Sequence, residues 1–122
     1  MSDINYTISL RVAKGFLDNS VSASGVTADM AQTGLLSQTL TLSTNAVNIS
    51  TASLSGVGLA YLRNLSTATL HTAAIGVNSG GSFVGFCTLR AGEPAVLRLT
   101  SGIDYQAKGA EGARLRVDIT EG

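Results

Sequence analysis

Apolar residues in this chain recur at every second position, in short runs that turn-forming residues interrupt roughly every ten positions. In the first run Tyr6, Ile8, Leu10 and Val12 alternate with Asn5, Thr7, Ser9 and Arg11. In the last, Leu115, Val117 and Ile119 alternate with Arg114, Arg116, Asp118 and Thr120. A period of two sends successive side chains to opposite faces, so both runs predict half-buried strands of an antiparallel sheet. Leu40 and Leu42 against Thr39 and Thr41, then Val47 and Ile49 against Asn48 and Ser50, predict two more. Residues 57–62, 83–89 and 95–99 are apolar on both faces, which predicts central strands covered on both sides or strands that face a partner; residues 68–75 join them. β-Branched residues and glycines recur throughout, and no stretch holds helical apolar spacing beyond two turns, which argues against helices.

Turn chemistry supports the same reading. Asn78-Ser79-Gly80-Gly81 supplies the positive backbone angles of a tight hairpin. Ala91-Gly92-Glu93-Pro94 is expected to do the same for the next strand pair, with the only proline at a strand entrance where its missing N–H costs least. Lys108-Gly109-Ala110-Glu111-Gly112 precedes the last strand. Residues 19–35 fit the alternation least: Val21, Ala23 and Gly25 alternate with serines, then Val26, Ala28 and Met30 continue out of phase. A bulged strand, a long loop or an arm would each produce that pattern. Short echoes such as Leu42-Ser43-Thr44 and Ile49-Ser50-Thr51 do not extend over a repeat-length window. About eight to ten strands in 122 residues predict an all-β fold, a single antiparallel β-sandwich domain over residues 1–122 that is jelly-roll-like, with residues 19–35 a loop or arm.

The chain is 44% hydrophobic and 13% charged, with eight basic and eight acidic side chains and a formal net charge of zero. Nucleic-acid binding draws on a cationic excess, and disorder on low hydrophobicity with unbalanced charge; this balance argues against both. Surface polarity comes instead from 27 Ser and Thr residues. The stretch Met1-Ser2-Asp3-Ile4-Asn5 has neither the basic nor the apolar region of a secretory signal, and no window approaches the ~18 apolar residues of a membrane span, so synthesis in the cytoplasm and no membrane partner are expected. Cys87, the single cysteine, stands among Val84, Phe86 and Leu89 and reads as a small buried hydrophobe. The sequons at Asn5, Asn48 and Asn64 are matches that a hydroxyl-rich chain produces by chance.

Candidate chemistry is sparse. His71, the only histidine, is expected on a strand beside Leu70, and with no second histidine or spare cysteine it cannot build a zinc site. No serine lies in a Gly-x-Ser-x-Gly elbow, the nearest being Ser79 and Ser82 around the hairpin. The carboxylates Asp3, Asp18, Asp29, Glu93, Asp104, Glu111, Asp118 and Glu121 are scattered and form no oxygen-ligand loop. Gly76, Gly80, Gly81 and Gly85 lack the lysine and following helix of a phosphate cradle. No catalytic, cofactor-binding or metal residue is therefore assigned, and a non-enzyme is expected. Arg63, Arg90, Arg98, Arg114 and Arg116 read as exposed partners in alternating strands, and together could make a polar interface whose planar guanidinium groups bind carboxylates bidentately.

The second half of the chain also carries an ordered set of segments: Gly58-Leu59-Ala60-Tyr61-Leu62-Arg63-Asn64-Leu65, Ala74-Ile75-Gly76-Val77 with Gly80-Gly81-Ser82-Phe83, Leu89 to Leu99 through Gly92-Glu93-Pro94, and Tyr105-Gln106-Ala107-Lys108 before Leu115-Arg116-Val117. In that order they resemble a family of small β-sandwich virion proteins of tailed bacteriophages, over about residues 57–119. The resemblance implies a virion structural protein, foremost a capsid decoration or stabilising subunit, with the major capsid protein or other virion proteins as partners and a homo-oligomeric state. A head–tail or tail component is the nearest variant. A carbohydrate-binding module on the same sandwich is the alternative from another class, and the absence of tryptophan weighs against it. The segments expected to make contacts are residues 19–35 and those before Tyr6, since neither is needed to complete a sandwich.

Overall fold

The computed structural model describes residues 3–122, and among these every regular element is a β-strand. There are ten: β1 (Ile4–Lys14), β2 (Leu17–Ala28), β3 (Leu35–Thr41), β4 (Val47–Asn48), β5 (Val57–Asn64), β6 (Ala73–Ser79), β7 (Ser82–Leu89), β8 (Pro94–Arg98), β9 (Tyr105–Gly109) and β10 (Arg114–Glu121). The chain divides into two compact units, Met1–Ala31 and Gln32–Gly122.

The second unit is an antiparallel β-sandwich of jelly-roll type. One sheet has the order β3-β10-β5-β8 and the other β4-β9-β6-β7. The pairs β3/β10, β4/β9, β5/β8 and β6/β7 nest one inside the next, as in a single long hairpin rolled up so that successive pairs fall in alternate sheets. Alternation decides what lies between the layers. Leu115, Val117 and Ile119 of β10 and Ala60 and Leu62 of β5 meet Ala73 and Ile75 of β6 and Tyr105 and Ala107 of β9, all buried. Each large aliphatic side chain removed from water in this way contributes about 1.5–3 kcal/mol. The hydroxyl of Tyr105 is not wasted in the core: it donates to the Thr100 carbonyl (3.1 Å) and accepts from the Thr100 N–H (2.9 Å).

Two details differ from the expectation and one agrees with it. Of the strands apolar on both faces, only β5 is central; β7 and β8 are sheet edges. The Ala91-Gly92 turn does not close a hairpin, because β7 and β8 belong to different sheets; it is a corner, as is the turn before β10. Gly80 and Gly81, with φ of 60° and 86°, do make the hairpin of β6 and β7.

The first unit is the antiparallel hairpin β1/β2. Residues 19–28 are strand rather than loop, and the phase break in them is a bulge: Tyr6 pairs with Val26 and Ile8 with Ala23, so Thr7 faces both Ser24 and Gly25. Gly25 has φ of 64°, the left-handed conformation such bulges require, and its N–H donates to the Thr7 hydroxyl. The extra residue returns Val26 and Ala28 to the face that Val21 and Ala23 occupy.

Candidate interaction surfaces

The residues considered for catalysis are dispersed. His71 lies in the β5–β6 connection and not on a strand; its N–H donates to the Ala68 carbonyl (3.0 Å) and its carbonyl accepts from Asn64 Nδ2 (2.7 Å). Ser79 and Ser82 flank the β6–β7 turn. Among the described residues no three His, Cys, Asp or Glu side chains come together. The Cys87 side chain is half-buried against the core, and burial first, then the nearby Glu93 charge, push its thiol pKa up, away from a reactive thiolate. Several carboxylates serve the backbone instead: Asp3 accepts from the Met30 N–H (2.9 Å) and Glu93 from the Arg90 N–H (2.6 Å). Glu121 Oε1 accepts from both the N–H and the hydroxyl of Ser55, which hold its pKa below the usual carboxylate range.

Asn64, which the sequence marks only as a sequon and as part of the segment Gly58 to Leu65, is a buried hub. Its Nδ2 donates to the carbonyls of His71 (2.7 Å) and Leu89 (3.2 Å), and its Oδ1 accepts from the Ser66 N–H (3.0 Å). Its backbone N–H and carbonyl bond Glu93 and Gly92. The side chain is fully buried, which closes this sequon to glycosylation. A signal was present: Asn64 continues the inward series Ala60, Leu62, and a polar residue at a core position has to be satisfied there.

Two surfaces stand out among the described residues. The first is the outer face of the β3-β10-β5-β8 sheet. The core-facing parity of β10, β5 and β8 leaves Arg114, Arg116, Asp118, Tyr61, Arg63, Val96 and Arg98 pointing outward. Arg63 and Arg116 are directly opposite across the β5/β10 pair, a like-charge juxtaposition that costs the isolated sheet a few tenths of a kcal/mol. Arg116 is compensated by Asp118, whose Oδ2 accepts from its Nε and Nη2 at 3.0 Å each. Oδ1 of Asp118 is buried without a hydrogen-bond partner. Arg63 Nε donates to the Gly92 carbonyl, and Arg63, Arg98 and Arg114 have no ion-pair partner among the described residues. The face thus holds four of the eight basic residues and one of the eight acidic ones. Arg90 is not part of it; it lies in the corner after β7.

The second surface is one side of the β1/β2 hairpin. Ile8, Leu10, Val12, Leu17 and Val21 are all substantially exposed, Leu10 at 56% and Val21 at 53%. The reverse side carries Thr7, Ser9, Arg11, Asp18, Ser20 and Ser22.

Two aromatic residues of the sandwich, Tyr61 and Phe86, are partly open to solvent. Tyr105 is buried, Phe86 stands edge-on to it at 6.4 Å, and the Lys108 ammonium sits 4.8 Å over the Phe83 ring.

No protein-family model matches the sequence, and no curated protein matches it. Among solved structures, the crystal structure of the Yersinia pseudotuberculosis-derived mitogen (YPM) is similar with a TM-score of 0.43 and 19% identity, over 75% of this chain and 88% of that one.

Proposed function

We propose that this chain is a non-enzymatic structural subunit of a tailed-bacteriophage particle, a decoration or stabilising protein that binds the capsid surface. The observation that carries the reading is the outer face of the β3-β10-β5-β8 sheet, where four arginines and Tyr61 point away from the core beside a single carboxylate. The resemblance of residues 57–119 to small virion proteins points the same way and supplies the class of assembly.

The arginine face fits the docking side of such a subunit. Arginine and tyrosine are enriched at the centres of protein interfaces while lysine is depleted, and this face holds four arginines and Tyr61 but no lysine. Its natural complement is a carboxylate-bearing surface on the major capsid protein, each guanidinium offering two parallel donors. The test is to mix the purified chain with mature capsids and measure co-sedimentation and the temperature of capsid disruption. Saturable binding with a raised disruption temperature is expected. Failure to bind, together with absence of the chain from purified particles by mass spectrometry, would remove the reading.

A further inference from the structure

The apolar face of the hairpin is shaped for itself. Across the middle of the face the cross-strand partners Ile8↔Ala23, Leu10↔Val21 and Val12↔Asn19 put the bulkier residue in the β1 row, while at the tip Leu17 of the β2 row stands opposite Lys14. The face is therefore a ridge beside a groove. Stacking two such ribbons about a twofold axis parallel to the strands lays the β1 ridge of each copy over the β2 groove of the other, Leu10 against the second copy's Val21. A twofold axis across the strands would set ridge on ridge and leave the grooves empty. We propose that a second copy of this chain covers the hairpin face, forming a symmetric dimer through a four-stranded, two-layer arm.

Area supports the choice of occupant. The five large aliphatic residues of the face, with Ala23, Val26 and Ala28 in the same rows, present about 500 Å² of apolar surface, the size at which an exposed patch marks an interaction site. Two copies bury about 1,000 Å² between them, the lower bound of a specific interface. Lys14 is the only charged side chain on the face and lies at its tip, so the stack confines no charge at its centre. The reverse sides, with Arg11 and Asp18 paired at 3.6 Å, stay in solvent. An isologous contact of this kind closes on two copies instead of growing into fibres.

The inference stands apart from the particle reading, and one experiment separates them. Analytical ultracentrifugation of the full chain at micromolar concentration, with no capsid present, is expected to give twice the 12.4 kDa chain mass. Leu10→Arg should weaken the dimer by about a hundredfold or more, since each dimer loses two apolar contacts and gains two buried charges. Ser9→Arg, which adds the same charge to the reverse side, should leave the mass unchanged. The thermal transition of the jelly roll, followed in each variant, confirms that it is folded. A mass of one chain at every concentration, or equal dissociation by Ser9→Arg, would overturn the dimer. A dimer that ignores capsids would sink the particle reading alone.

Discussion

Replacing Asn64 is the most direct way to ask whether the jelly roll is held by its buried polar hub as well as its apolar core. In Asn64→Ala three side-chain hydrogen bonds disappear, each with a net worth of about 1 kcal/mol. The Leu89 carbonyl loses its Asn64 partner in a buried setting, which adds about 1 kcal/mol. A total near 4 kcal/mol is a large share of the 5–15 kcal/mol that holds a domain of this size together. For the 91 residues of Gln32–Gly122 it corresponds to a fall in Tm of roughly 15–30 °C, measured by calorimetry or circular dichroism. Asn64→Asp sharpens the test because it keeps the shape. One carboxylate oxygen still accepts from Ser66, but the other faces two carbonyl oxygens where Nδ2 donated. Protonation lets it donate again, so the aspartate pKa rises on folding. The sign follows: a carboxyl with a raised folded pKa is least destabilising below its unfolded pKa and most so above its folded one. Asn64→Asp should therefore melt closer to the parent at acid pH than at neutral pH. A neutral-pH Tm equal to the parent's, or a deficit that does not change with pH, would refute the hub.

Gly76→Ala should destabilise by about 1–3 kcal/mol, because its Cβ would collide with the Val84 carbonyl oxygen and lie 2.8 Å from Phe83 Cζ. Urea unfolding reports it, and an unchanged midpoint would show that β6 and β7 can separate freely. Because its hydrogen bonds with Ser55 depress the Glu121 pKa, that interaction is fully present above the ordinary glutamate pKa and is lost as pH falls through the depressed one. Glu121→Gln should flatten this acid limb of the stability profile, read as Tm against pH. Raising salt should weaken capsid binding through the arginine face while leaving the arm dimer intact; equal salt dependence by sedimentation would show that the two contacts are not chemically distinct.

Period two located β1, β3 and β10, but the half-buried reading holds for β3 and β10 only, since β1 pairs with β2 alone and is exposed on both faces. Where both faces are apolar, the pattern cannot separate a central strand from an edge: β5 is central, whereas β7 leaves Val84 and Phe86 half-exposed at an edge. Both satisfy the same sequence rule. The Ala91-Gly92 corner looked like a hairpin turn because turn residues report local backbone angles, and sheet membership is set by pairing with β5 some thirty residues earlier. His71 was misplaced for a similar reason, since Leu70 beside it is exposed in a loop and mimics one step of alternation. The arginines were legible one by one as outward residues. That four share a face depends on β10 pairing with β5, a contact between the chain's end and its middle.

The zero net charge now has a spatial meaning. Carboxylates are largely spent within the fold, on the Met30 and Arg90 N–H groups, on Ser55 and on two arginines. Arg63, Arg98 and Arg114 have no such ion-pair partner and collect on one sheet. A subunit present in many copies gains from this division. With no net charge, neighbouring copies do not repel one another along a lattice, while a local cationic face still orients each copy toward an acidic one. On the proposed reading the apolar arm contact would be insensitive to that field, so that pairing between copies and docking to a particle would be tuned independently by separate sets of residues.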